Sequence, residues 1–409
     1  MRLQSRLTRR SVLGAAAVGA AWLAGGVQPA MADTGPADFD ATRKQAGGQT
    51  VYFNAWGGDQ RINDYILWAA GELQHRHGVT LQLVKLKDTA EAVSHVLAEK
   101  TAGRLDGGSV DLIWINGENF AAMKSSQLLY GPFTGLLPNF RLVDPQRNPT
   151  LVLDFTIPTD GLESPWGRAQ LTFFYDSAKT SFPPRSVAAL LDWAQQSPGR
   201  FAYPAPPDFI GTTFLKQALH ESIADPTILQ RPLDDAQFSA VTAPLWSFLD
   251  QLHPLLWRKG KAFPESATAQ RQLLNDGEVE LYMAFNPGDA SSAIAQKLLP
   301  DSVRGYFPES GSIANTHFLA IPFNANAKAG ALVAANFLLS PEAQARKQDP
   351  TIWGDPTVLA LDRLAPEDRA AFDRLPQGIA TPQVGRALPE PHPSWVAALE
   401  HAWIARYAH

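Results

Sequence analysis

At 409 residues the chain is long enough for two or three domains and too long for a single small module. Hydrophobic residues make up 45% and charged residues 18%, a globular composition that excludes disorder over most of the length. The formal charge is -5 with no basic run beyond the first ten residues, which argues against a nucleic-acid partner, and the absence of cysteine excludes disulfides, thiol nucleophiles and Cys-ligated metal centres.

The first segment reads as an address. Arg2, Arg6, Arg9 and Arg10 precede an apolar, Ala/Gly-rich stretch over residues 11–26, and Ala30 and Ala32 flank Met31 as a small-residue cleavage site. The adjacent Arg9 and Arg10 before a modestly hydrophobic segment look like a twin-arginine signal, so the export machinery of that pathway is an expected partner. The stretch is too short for a membrane anchor, and cleavage after residue 32 predicts a soluble periplasmic protein. Residues 33–48 are polar and predict a flexible lead-in.

Strand and helix signals then alternate. A β-rich run over 50–56 is followed by Ile62, Tyr65, Ile66, Ala69 and Leu73 at helical spacing. Strands over 79–86 and 110–115 alternate with helices over 90–101 and 119–129. This βαβαβα order predicts a mostly parallel sheet covered by helices. Residues 136–165 carry five prolines and read as loop. Further strands are expected over 169–175, 199–203, 278–285 and 318–322. Helices are expected from 186, 212, 235, 266 and 327, and from Ser340 with Pro341 at the first helical position.

Ligands of open α/β sheets bind outside the carboxyl ends of the strands. Two polar turns fall there, one with Trp56 and Asp59, the other with Asn116 and Glu118; Asp59 and Asn119 also suit helix N-caps. Enzyme signatures are missing: there is no nucleophile elbow, phosphate loop, dinucleotide fingerprint or zinc-protease motif. The nine histidines are scattered, so neither a metal site nor a cofactor is expected.

Four segments, 164–176, 183–193, 276–286 and 335–344, occur in an order that resembles periplasmic solute-binding proteins of ABC importers, the two-lobed type. Residues 115–124, 207–216, 315–318 and 390–395 are similar to the YnjB-like branch of that group. The resemblance implies an α/β fold of two lobes joined by crossover strands, with lobe one at 49–167 and 316–345 and lobe two at 168–315 and 346–409. It implies capture of a small solute by hinge closure and delivery to a permease with its ATPase. Ligand-lining residues are then expected at Trp56, Asp59, Asn116, Glu118, Trp166, Tyr203, Asp208, Thr212, Asn286 and Asp289, with Ser312, Asn315 and Trp353 near the hinge. Trp193, Trp246 and Trp257 are expected in the core. Acidic Asp59, Glu118 and Asp289 beside aromatics suit a thiamine-like or amine cation ahead of a sugar. The rival reading is an exported carbohydrate hydrolase with Glu118 and Asp289 as its acid pair.

Overall fold

The computed structural model describes residues 36–382 and 385–408, so the expected signal and cleavage site lie outside the described residues. The expected lead-in is helical: α1 (Pro36–Ala46) buries Phe39 and Ala46, two apolar anchors seven residues apart on one helix face of an otherwise polar segment.

The expected alternation follows in β1 (Thr50–Trp56), α2 (Gln60–His77), β2 (Thr80–Leu86), α3 (Ala90–Thr101), β3 (Leu112–Ile115) and α4 (Gly117–Ser125). Strand β1 lies between β2 and β3 and runs parallel to both. Helix α2 opens where the Asp59 carboxylate accepts the Arg61 N–H, and its apolar stripe Ile62, Tyr65, Ile66, Ala69 and Leu73 is buried. Helix α4 begins two residues earlier than its apolar pattern suggests, with Asn116 and not Asn119 at the cap position.

After 3-10 turns and the small ladder of β4 (Leu153–Asp154) with β5 (Ile157–Pro158), β6 (Glu163–Gln170) joins the first sheet. One residue later β7 (Thr172–Asp176) enters a second sheet, making 163–176 a crossing strand. Around this sheet lie α5 (Val187–Gln196), α6 (Phe209–Ser222), α7 (Asp235–Leu252), α8 (Ala267–Asn275), β8 (Leu281–Ala284), α9 (Asp289–Ala295) and β9 (Val303–Tyr306). The expected strand over 199–203 joins no sheet. The carbonyls of Arg200 and Phe201 accept from the backbone of Glu280 and Trp257, and that of Ala202 from the Gln270 side chain, so their partners lie on separate segments.

The chain returns through β10 (Ser312–Ala320), antiparallel to both β6 and β3, and continues with α10 (Lys328–Leu338), α11 (Pro341–Gln348), α12 (Pro366–Asp373), β11 (Ala387–Leu388) and α13 (Pro393–Tyr407). The first sheet has the order β11-β10-β3-β1-β2 with β6 on β10, and the second is β8-β7-β9. The fold is thus mixed α/β and two-lobed. Parallel pairing is confined to the first sheet, because both ladders of the second are antiparallel. Short apolar runs such as 281–284 look alike in either direction.

Separate cores serve the two sheets. Phe53, Tyr65, Trp166, Leu319 and the alanines of α10 pack together on the first, and Phe173, Phe214, Leu249, Met283, Trp246 and Trp403 on the second. Of the tryptophans expected in the core, Trp246 is buried, whereas Trp193 and Trp257 only pack against it partly exposed. The tail expected with lobe two divides. Val358, Leu359 and Phe372 share a core with Val143 and Leu339 of the first sheet's side, while Trp395, Leu399 and Trp403 join the second. A hydrophobic segment follows whichever surface completes its burial, and composition does not reveal which.

Candidate functional site

Between the two sheets lies a cleft of about 250 Å³. Trp56 and Asp59 enter it from the end of β1, and Asn116 and Glu118 from the end of β3. Asp208 and Thr212 come from the start of α6, Asn286 and Asp289 from the turn after β8, Asn315 from β10, and Trp353 from the loop after α11. The structure therefore brings ten of the thirteen expected residues to one cleft.

Three expected residues lie elsewhere. Trp166 is fully buried, its ring edge-on to Phe53, Trp114 and Trp353, because its side chain points from β6 into the core beneath the cleft. Tyr203 is also fully buried: its hydroxyl bonds His253 Nε2 at 2.7 Å and accepts from the Trp403 indole at 2.8 Å. Ser312 is buried at the start of β10, beside the Arg386 backbone and outside the cleft lining.

Sequence reasoning missed Arg61 and Arg271, and they change the electrostatics. Asp59 accepts from Arg61 at 2.6 Å and from Arg271 at 3.2 Å; Asp289 accepts from Arg61 at 2.5 Å and from Arg271 at 2.8 Å. The Tyr282 hydroxyl donates to the other Asp289 oxygen at 3.0 Å. All four charged groups are buried. Burial alone would push both carboxyls up, but the two guanidinium groups outweigh it and hold them below the ordinary range. Asp59 and Arg61 flank β1, whereas Arg271 and Asp289 flank β8, so this square of charges joins the lobes. The Asn286 amide adds a bond to the Trp353 carbonyl at 3.1 Å, and the Thr268 hydroxyl one to the Gly58 carbonyl at 3.3 Å. Two of the three acids read as ligand partners are therefore engaged by protein.

Other acids in the cleft have no such partner. Glu118 forms no ion pair among the described residues, and burial, reinforced by Glu400 and Glu390, pushes it up to about 7 against the pull of Lys216 and its own backbone N–H. Asp208 caps α6 through the Ile210 and Gly211 N–H groups and is pushed up to about 6 by burial. Glu400 of α13 accepts the Thr212 hydroxyl at 2.7 Å and is also raised by burial. Lys216, the buried cation nearby, is spent on Glu390 at 2.7 Å. Glu400 was legible in principle, since Trp395, Leu399 and Trp403 recur every four residues behind Pro393, the signature of a helix.

Five aromatic rings also line the cleft, Trp56, Trp114, Phe209, Phe285 and Trp353, among aliphatic residues such as Ile62, Ile210 and Val396. Trp56 folds back over Gly58, where an added Cβ would lie 2.3 Å from the indole, so that glycine sets the ring's position. Trp56→Ala is expected to weaken solute binding by roughly 5- to 150-fold with little change in melting. Trp166→Ala, by contrast, should remove about 3–5 kcal/mol of stability. Calorimetric melting and titration of the two variants check this.

A family model described as bacterial extracellular solute-binding protein matches residues 68–358. Protein YnjB of Escherichia coli (strain K12) is 47% identical over 387 residues, 94% of this chain and 98% of that one. The chain belongs to the bacterial extracellular solute-binding protein family. Among solved structures, a putative spermidine/putrescine ABC transporter protein from Listeria monocytogenes is 16% identical and superposes with a TM-score of 0.62, covering 88% of this chain and 98% of that one. A periplasmic thiamin binding protein is 16% identical with a TM-score of 0.60, covering 88% and 95%. The members of this family are binding proteins, and the fold they share is the two-lobed one seen here. Among the described residues no helix is long and apolar enough to cross a membrane.

Proposed function

We propose that the chain is the periplasmic substrate-binding component of an ABC importer, and that it captures a small cationic organic solute between its lobes and presents the closed form to a permease coupled to an ATPase. One observation carries the choice of solute: among the described residues Glu118, Asp208 and Glu400 line the cleft without an ion-pair partner, Arg61, Arg271 and Lys216 are each matched by Asp59, Asp289 or Glu390, and the exposed Lys87 at the lining is offset by its neighbour Asp88. The surplus is negative and the walls are aromatic, the pairing that holds ammonium and thiazolium-like cations. The spermidine/putrescine transporter and thiamin binding proteins among its structural neighbours are named for solutes of the same chemistry. Closure would turn on the crossings at 170–172 and 306–312, where the chain leaves one sheet for the other.

Thermal melting of the purified protein against spermidine, putrescine, thiamine and a set of neutral sugars tests this reading. A cation at a hundredfold excess over its dissociation constant should add about 2.7 kcal/mol and raise the melting temperature. Stabilisation by sugars alone would contradict it.

Export would use the Arg9 and Arg10 pair. Their replacement by two lysines keeps the charge and removes the guanidinium geometry, so precursor should accumulate in the cytoplasm, as fractionation would show. Unchanged export through the Sec channel would make the pair incidental.

A further inference from the structure

On β10, Asn315 and His317 lie two residues apart on one face of the strand, about 7 Å from each other, and both line the cleft. Each has one end fixed by protein. The Asn315 amide nitrogen donates to Glu390 at 2.8 Å, which leaves the amide oxygen as its remaining group. His317 Nε2 lies 3.0 Å from an Asp355 oxygen, and a carboxylate there only accepts, so Nε2 carries a proton toward it and Nδ1 is the ring's remaining group. Lys347 donates to the same Asp355 oxygen. Among the described residues neither Asn315 Oδ1 nor His317 Nδ1 meets a donor, although both atoms are buried.

Room for this arrangement is built into the neighbouring strand. Ala169 and Gly167 of β6 stand opposite Asn315 and His317. A Cβ on Gly167 would fall 1.9 Å from Asp355 Oδ2 and 2.2 Å from His317 Nε2, so no other residue leaves the His317–Asp355 pair in place. Two unmet buried polar atoms with fixed orientation are costly unless something in the cleft bonds to them.

We propose that Asn315 Oδ1 and His317 Nδ1 form an acceptor pair for the solute, which therefore carries at least two N–H or O–H donors in addition to its charge. This rests on the reading of the cleft as the binding site and narrows it: primary and secondary amines and amino-substituted rings fit, whereas fully quaternary cations do not.

The test is titration calorimetry with hexamethylenediamine, spermidine, thiamine, the quaternary dication hexamethonium and the neutral polyols glucose and inositol. Hexamethonium matches the diamine in charge and span but has no donor, so it should bind about tenfold or more weakly than the diamine. His317→Gln keeps a donor toward Asp355 and removes the Nδ1 acceptor; Asn315→Ala leaves Glu390 held by Lys216. Each should weaken the donor-bearing cation by about tenfold or more with near-native melting. Equal binding of hexamethonium and the diamine overturns the pair without any variant, and so does undiminished affinity in both folded variants. Polyol binding that the variants abolish would keep the acceptor pair while overturning the cationic reading. Failure of every donor-bearing probe to bind overturns both.

Discussion

Asp289→Ala is expected to open the ligand-free protein. In this structure Arg61 and Arg271 share Asp59 and Asp289, and each side of the cleft contributes one acid and one base. Lobes drawn apart would each retain a neutral pair, Asp59 with Arg61 and Arg271 with Asp289, so the square stabilises closure and not the folding of either lobe. Removing Asp289 leaves two buried guanidinium groups facing one carboxylate, which costs about 3–5 kcal/mol unless the lobes part and water reaches them. Small-angle scattering should therefore give a larger radius of gyration for the variant, and calorimetry a weaker affinity for the solute. An unchanged radius together with unchanged affinity would show that the square is not a closure device. Its pH dependence follows from the same charges. Both carboxyls are held below the ordinary range, so the stabilisation is complete above about pH 4 and is lost as the pH falls through the lower values of the closed form.

Glu118→Gln is expected to remove most of the pH dependence of solute binding. Burial raises Glu118 to about 7, so a cation that needs the carboxylate must displace a proton below that value. Affinity in the wild type should then fall by about tenfold for each pH unit below 7, with Asp208 adding a second loss below about 6. The glutamine variant should bind more weakly at pH 8 and show a flatter profile between 7 and 6. Stability without ligand runs the other way. A carboxyl raised in the folded state binds its proton before the unfolded chain does, so its contribution is present below about 4.3 and is lost as the pH rises through 7. Titration at four pH values, with melting curves alongside, measures both trends, and a wild-type affinity independent of pH would exclude Glu118 from contact with the solute.

The alternation of apolar strands and amphipathic helices in the first half carried the fold, and the turns after β1 and β3 carried half of the cleft. Strand-end turns announce themselves through glycine and polar residues at a change of period, which is why Trp56 and Glu118 could be placed. What escaped was pairing at a distance. Arg61 reads as one more polar residue on α2 until Asp289 is seen 228 positions along the chain. His317 sits within an apolar strand, and its role depends on Asp355 and on a missing side chain at Gly167. Trp166 departs from the expected cleft position for a related reason: the glycine beside it makes room for the His317–Asp355 pair, and the indole turns into the core.

On the proposed reading the cleft holds a cationic solute and returns it unaltered. Equilibrium dialysis of the purified protein against an equimolar mixture of spermidine, putrescine, thiamine, glucose and inositol, followed by mass spectrometry of both compartments over time, measures it directly. Selective retention of one amine, recovered chemically intact, near one equivalent per chain, is the expected result. Retention of only neutral sugars would rule out a cation-selective cleft, and steady conversion of any component to product would show an enzyme.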